Sequence, residues 1–260
     1  MIKLKDVNYK YKEGNDGLKN INLEFSKGEI NAIIGENGCG KSTLLSCIAG
    51  LNKYHGLITL DGLDIKKIKN IDLRKKIGIV FQNPNNQIVF NKVYDELKFT
   101  LTNLGENDID NRIKKSLDMV SMSSFIEANP YNLSMGQKQR INLANVLTTD
   151  KDFLLLDEVT SMIDNNGKQE IYKIILDLKK NNKGIIMCTN QIEELILADK
   201  IIILNKEHQI KGIYTKEEIF TNFDYLKDFE IPLKFQLIHK IGYHNLKDLS
   251  DKEILKHVSK

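Results

Sequence analysis

The 260-residue chain has no tryptophan, three prolines and three cysteines. The cysteines stand at 39, 47 and 188, an odd number without a C-x-x-C pair, which indicates neither a disulfide framework nor a zinc site. A reducing compartment is the natural setting for such a chain. Long apolar runs are missing as well. Ile201-Ile202-Ile203-Leu204 is typical of the longest, whereas a spanning helix needs roughly 18 apolar residues. The opening Met1-Ile2-Lys3-Leu4-Lys5-Asp6 lacks the apolar stretch of a secretory signal. The expectation is a cytoplasmic chain that does not itself enter a bilayer. Excess charge of one sign is also absent. With 38 Lys+Arg against 35 Asp+Glu the net charge is +3, too small for the concentrated basic face of a nucleic-acid binder. Only Arg74, Arg112 and Arg140 are arginine, and lysine cannot replace the planar guanidinium fork. No repeat or low-complexity block appears.

What is present is an ordinary globular balance, 41% hydrophobic and 28% charged, long enough for one large domain with or without a small appendage. Residues 2–11, 21–25 and 30–34 read as strands. The last is apolar apart from Asn31, as expected of a strand buried on both faces. Residues 42–49 read as a short helix, 57–60 and 77–81 as strands, and Asp61-Gly62 as a turn. Ile109, Ile113, Leu117 and Val120 form a helical stripe within 108–128, and 136–147 also reads as helix. Strands return at 153–156, 184–188 and 200–204, with a helix at 167–179 between the first two. This alternation predicts an α/β fold with a mostly parallel central sheet, N-terminal antiparallel strands and a helical insertion at about 88–148. After Gly212, two or three short helices with Pro232 as a break form a C-terminal appendage. The expected division is a nucleotide-binding domain over 1–215 and a helical appendage over 216–260.

Gly35-Glu36-Asn37-Gly38-Cys39-Gly40-Lys41-Ser42-Thr43 fits G-x-x-x-x-G-K-[ST] between a predicted strand and a predicted helix. Glycines at 35, 38 and 40 permit backbone angles and close approaches that a Cβ forbids. Successive amides running into a helix N-terminus cradle phosphates. Lys41 supplies a point charge to the β- and γ-phosphates, and the Ser42 hydroxyl is suited to Mg²⁺. Cys39 inside the loop has two readings. It is a small side chain at a variable position, or a thiol activated by helix amides and Lys41. Phe153-Leu154-Leu155-Leu156-Asp157-Glu158 is a buried strand delivering two acids to a sheet edge. Asp157 suits Mg²⁺, through water, and Glu158 suits activation of a water molecule. Lys41 and Asp157 are 116 positions apart, which leaves room for the helical insertion.

That insertion ends in Leu133-Ser134-Met135-Gly136-Gln137-Lys138-Gln139-Arg140, which resembles the LSGGQ-type signature of ATP-binding-cassette (ABC) ATPases. Tyr11, the phosphate loop, Gln82, the signature, the Asp157-Glu158 strand and Ser161-Met162-Ile163-Asp164 follow in the order of that family, over about residues 1–215. Val80-Phe81-Gln82-Asn83-Pro84-Asn85-Asn86-Gln87-Ile88-Val89 and Thr160-Ser161-Met162-Ile163-Asp164 resemble the energy-coupling-factor (ECF) transporter ATPases more narrowly. So do Glu217-Glu218-Ile219-Phe220, Ile231-Pro232-Leu233 and Ile241-Gly242. The resemblance implies a P-loop NTPase of the ABC type with ATP and Mg²⁺ as ligands. Gly35, Asn37, Gly38, Cys39, Gly40, Lys41, Ser42 and Thr43 would hold the phosphates, with Tyr11 stacked on adenine. Ser42, Gln82 and Asp157 would serve Mg²⁺, and Glu158, Gln82 and Asn190 would carry hydrolysis. Ser134, Gly136 and Gln137 would complete the site of a second ABC ATPase in a head-to-tail dimer. Without the resemblance, Tyr11 reads as an exposed strand aromatic and Gln82 as a polar strand end.

The resemblance also implies membrane partners, a transmembrane scaffold subunit and a substrate-binding membrane subunit that selects a vitamin or metal ion. The chain would then sit on the cytoplasmic face of the membrane, without nucleic acid. Three departures stand out. Met135 replaces the first signature glycine, where its side chain either crowds a nucleotide or points aside. Val159 stands where many ABC ATPases have proline. Thr189-Asn190-Gln191 replaces a switch-histidine segment, and none of the five histidines, at 55, 208, 239, 244 and 257, is close in sequence. An asparagine amide donates a hydrogen bond but cannot become cationic or transfer a proton. Hydrolysis is therefore slowed, or the asparagine is an adequate substitute. Two altered motifs favour a heterodimer, which confines each defect to one site, although a homodimer is compatible. The competing readings are an ATPase of another ABC transporter and a weakly hydrolysing regulatory nucleotide-binding partner.

Overall fold

The structure, a computed structural model, describes residues 1–240. Two sheets organise the chain. The first is antiparallel in the order β2-β1-β4-β5. It comprises β1 (Ile2–Lys10), β2 (Asp16–Phe25), β4 (His55–Leu60) and the short β5 (Leu63–Asp64). The second has the order β10-β9-β3-β8-β7-β6. Its strands are β3 (Ile30–Gly35), β6 (Ile77–Val80), β7 (Phe153–Asp157), β8 (Gly184–Thr189), β9 (Lys200–Leu204) and β10 (Ile210–Tyr214). All neighbours in it are parallel except β10, which runs antiparallel to β9.

Alternation along the parallel strands explains their mostly apolar runs. Ile30, Ala32 and Ile34 of β3, Leu154 and Leu156 of β7, and Ile201 and Ile203 of β9 feed one buried cluster. Ile33, Phe153, Leu155, Ile202 and Leu204 point the other way and feed a second. A period-2 side-chain pattern with both faces covered favours apolar residues, with the buried Asn31 of β3 and Thr189 of β8 as exceptions. The second cluster holds the antiparallel sheet and α1 (Lys41–Ile48) against the central sheet. The first holds α3 (Val93–Asn103), α4 (Ile109–Met119), α5 (Met135–Leu147) and α6 (Asn165–Lys180). A Cβ on Gly78 of β6 would run into Val146, so α5 lies hard against that strand.

Several elements differ from expectation. The helix expected over 108–128 stops at Met119, because Ser121 turns into the left-handed region (φ 55°) and a 3-10 turn follows at Ser123–Phe125. β2 starts at Asp16 rather than 21. Its polar beginning is held by pairing with β1, Lys10 opposite Asp16 and Tyr9 opposite Leu18. α2 (Asn70–Lys76) and β10 were not expected. In the tail, α7 (Lys216–Thr221) and α8 (Leu233–Lys240) are present, and Pro232 precedes α8 and accepts from its Phe235 amide. Ile241-Gly242, His244, His257 and the rest of the expected appendage lie outside the described residues. Among the described residues, no helix is long and apolar enough to cross a membrane.

Candidate functional site

β3 ends at Gly35, and the chain loops through Glu36–Gly40 into α1. Gly38 and Gly40 adopt φ of 83° and 108°. Gly40 has a second constraint, because a Cβ there would run into the carbonyl oxygen of Gly17 on β2. α1 starts without a side-chain cap and without an acidic residue in its first turn. Its first amides are thus left to an anion approaching along the helix axis.

Lys41 is 5% exposed. Its Nζ donates to the Gly35 carbonyl at 2.7 Å and lies 3.7 Å from Glu158 Oε1. The Ser42 hydroxyl donates to Asp157 Oδ1 at 3.0 Å. The Thr43 and Tyr11 hydroxyls are 2.6 Å apart. The Tyr11 ring is 44% exposed beside the loop and stands edge-on to Tyr9 at 5.1 Å. Asn37 accepts from Asn190 Nδ2 at 3.0 Å.

Sheet order brings the other residues to the same edge. β6, β7 and β8 are adjacent and parallel, so the residues just past their carboxyl ends, Gln82, Glu158 and Asn190, must be neighbours. Gln82 Nε2 donates to Glu158 Oε2 at 2.9 Å, and Asn190 Nδ2 donates to Glu158 Oε1 at 2.9 Å. Glu158 itself has φ 45°. Its amide continues the ladder to the Cys188 carbonyl at 3.0 Å, and the turn there aims the carboxylate between its two amide donors. Burial pushes the Asp157 carboxyl above the usual carboxylate range, and the Glu158 charge adds to that. The Ser42 hydrogen bond and Lys41 oppose the shift. Two carboxylates thus face one ammonium. The excess negative charge, with the Ser42 hydroxyl and the Gln82 amide oxygen alongside, is a hard-oxygen donor set that suits Mg²⁺.

The two readings of Cys39 are now distinguished. The residue is 1% exposed, and burial raises its thiol pKa, outweighing Lys41 and the nearby amide. Burial disfavours the activated thiol and favours the packing reading, with the Cys39 sulfur filling the space a Cβ on Gly35 would need. Ser134, Gly136 and Gln137 stand apart at the start of α5. The Ser134 hydroxyl accepts from the Gln137 amide, and the Gln137 side chain accepts from the Ser134 amide at 2.9 Å, a reciprocal cap. Met135 turns its sulfur back toward Asn85 Nδ2 of the same chain, 3.9 Å away.

Contacts that the sequence did not announce also reach the site. Ser161 Oγ lies 3.5 Å from Gln82 Nε2. On the opposite flank, the β9–β10 turn supports the phosphate loop. Lys206 pairs with Glu36 at 2.8 Å, and a ring nitrogen of His208 is 3.3 Å from the Cys39 carbonyl. Those partners are 169 residues apart in the second case, and no local pattern marks them.

A strand, a glycine-bounded loop and a lysine at a helix start, facing two acids on a parallel strand, define a P-loop nucleoside triphosphatase. A model of the ABC transporter family matches residues 18–161, and the chain belongs to that family. It is an ATP-binding ATPase of the cassette type. The energy-coupling factor transporter ATP-binding protein EcfA1 of Thermotoga maritima is 40% identical over 248 residues, 94% of this chain and 93% of that protein. The EcfA1 protein of Mesomycoplasma hyopneumoniae is 42% identical over 209 residues, 78% of this chain and 77% of the other. Among solved structures, cbiO1 of Clostridium perfringens, part of the ABC transporter complex cbiONQ, superposes with a TM-score of 0.77 at 31% identity. It spans 87% of this chain and 93% of that one. A dimeric bacterial ABC transporter cassette gives 0.75 at 28% identity, over 83% of this chain and 99% of that one. The same cassette has been solved in a post-hydrolysis state bound to ADP and Pi.

Proposed function

We propose that this chain binds and hydrolyses MgATP as the motor of an ECF-type importer, on the cytoplasmic face of the membrane. The observation that carries the reading is the placement of Glu158. Its carboxylate is held by Gln82 and Asn190 at 2.9 Å each, beside Lys41 and the phosphate loop. In this reading Glu158 orients and deprotonates the attacking water. The loop amides and Lys41 hold the phosphates, and the exposed Tyr11 ring takes the adenine. Ser42 and Asp157, with Gln82, would hold Mg²⁺, which would offset phosphate charge when bound. Ser134, Gly136 and Gln137 face the nucleotide of a second ABC ATPase. The turn of Met135 toward Asn85 supports this reading over one in which its side chain crowds that nucleotide.

Transport specificity belongs to other subunits, a transmembrane scaffold and a substrate-binding membrane protein. Exposed apolar side chains in the segment after Gln82 and on α3, with Val89 at 70% and Phe99 at 50%, supply a surface for the scaffold. Asn190 contacts Asn37 and Glu158 through one amide nitrogen. That favours a second reading, in which the chain binds ATP but turns it over slowly and pairs with a more active ATPase.

The test is MgATP turnover by the purified chain, alone and with the membrane proteins and ATPase that co-purify with it. The motor reading requires ATP-dependent turnover that rises in the assembled complex. Binding without turnover in either state supports the regulatory reading, and an assembly lacking membrane proteins contradicts the importer.

A further inference from the structure

The proposed hydrolytic apparatus leaves the buried Glu194 without a role. Glu194 lies in the 3-10 segment Ile192–Leu197 after β8 and is 1% exposed. A buried carboxylate is costly unless strong donors meet it. Two hydroxyls do so. Thr160 Oγ1 donates to Glu194 Oε1, and Tyr172 Oη of α6 donates to the same oxygen at 2.9 Å. Thr160 is itself 1% exposed. Its hydroxyl oxygen also lies 3.4 Å from Gln191 Nε2, and Lys168 Nζ of α6 donates to Gln191 Oε1 at 2.5 Å. Three separate parts of the chain meet here: the turn after β7, the segment after β8, and α6.

Thr160 is two residues past Glu158, and Gln191 is the residue after Asn190. The network therefore sets the spacing of the two loops whose ends carry the Asn190–Glu158 hydrogen bond. We infer that Glu194 is a positioning residue for hydrolysis, acting through Thr160 and Gln191 to hold Asn190 against Glu158. This rests on the reading of Glu158 as the base. A simple structural acid would stabilise the fold without favouring either loop. A positioning acid controls a distance, and misplacement of a reacting group by an ångström costs up to about 100-fold in rate.

The test uses the full chain with its co-purifying partners. Steady-state ATP hydrolysis is measured alongside equilibrium binding of a fluorescent ATP analogue. Glu194→Ala is expected to lower kcat about 10-fold or more while the nucleotide Kd changes less than about 3-fold. Glu194→Gln keeps an oxygen that can accept from both Thr160 and Tyr172, so it should recover most of the rate. In an Asn190→Ala background, Glu194→Ala should cost less than about 2-fold more, because the group it positions is gone. An unchanged kcat for Glu194→Ala, a glutamine variant as slow as the alanine one, or full additivity with Asn190→Ala each overturns the inference. Tyr172→Phe removes one donor and serves if the alanine variant does not fold, with a smaller loss of kcat at unchanged Kd. Amide hydrogen exchange decides independently of turnover. Glu194→Ala should speed exchange in 158–161 and 189–191 and leave 36–43 unchanged, and uniform or absent change contradicts the clamp. A wild-type chain without ATPase activity would sink the motor reading while leaving the exchange result to judge the clamp.

Discussion

Gly38 and Gly40 lie two residues apart in one loop, yet the structure assigns them different costs. Both have positive φ, 83° and 108°, so alanine at either is strained by about 1–2 kcal/mol. Around Gly38 a new Cβ meets nothing within 4 Å, whereas at Gly40 it runs into the Gly17 carbonyl and comes within 3.1 Å of Leu18 Cδ2. Gly17 and Leu18 belong to β2, where Leu18 pairs with Tyr9 of β1. The strand cannot retreat without losing that register. Overpacking against fixed backbone adds roughly 1–3 kcal/mol. With about 2–4 °C of melting temperature per kcal/mol in a domain of this size, Gly40→Ala should melt about 2–12 °C below Gly38→Ala. The assay is thermal unfolding without nucleotide, read by intrinsic fluorescence or calorimetry. A Gly40→Ala protein that melts at or above Gly38→Ala refutes the claim that Gly40 is required by the approach of β2.

Other consequences can be measured. Burial raises the Asp157 carboxyl, so the unfolded chain ionises first and the charge opposes folding once pH exceeds the ordinary carboxylate range. Asp157→Asn should therefore raise the nucleotide-free melting temperature at pH 7–8 and abolish Mg²⁺-dependent turnover, with the stability gain fading below about pH 4. No gain at neutral pH contradicts the assignment. Cys39 is buried with a raised thiol pKa. Native-state alkylation followed by mass spectrometry should label it far more slowly than in the unfolded chain, and equal rates would show the loop to be open. Asn190→His in the assembled complex should raise turnover and add a pH limb near the ordinary histidine pKa of about 6.5. Unchanged turnover counts against the idea that Asn190 slows hydrolysis.

Parts of this architecture were readable before any coordinates. β3, β7, β8 and β9 announce themselves because strands covered on both faces are mostly apolar, and Gly35–Ser42 and Asp157-Glu158 carry chemistry in contiguous motifs. β10 was missed because Ile210-Lys211-Gly212-Ile213-Tyr214 is an edge strand whose pairing with β9, not its composition, makes it a strand. The start of β2 was missed for the same reason, since Asp16-Gly17 is polar and flexible until β1 pairs with it. In the site, the order of motifs indicated which residues belong together. The contacts of Glu158 with Gln82 and Asn190 follow from β6, β7 and β8 lying side by side, a fact of sheet order. Met135 could not be oriented from sequence, because its direction depends on Asn85, 50 residues away. Glu194 gave no signal at all. A glutamate next to another, Glu193-Glu194, reads as solvent-exposed until tertiary packing buries it.

The most direct test of the account is single-turnover hydrolysis of MgATP by wild type and Glu158→Gln in the assembled complex, with bound nucleotide identified after rapid removal of free ATP. The account predicts that Glu158→Gln retains intact ATP while turnover falls about 100-fold or more, as expected for loss of a general base. Hydrolysis within about 3-fold of wild type would contradict it and remove Glu158 from the chemistry.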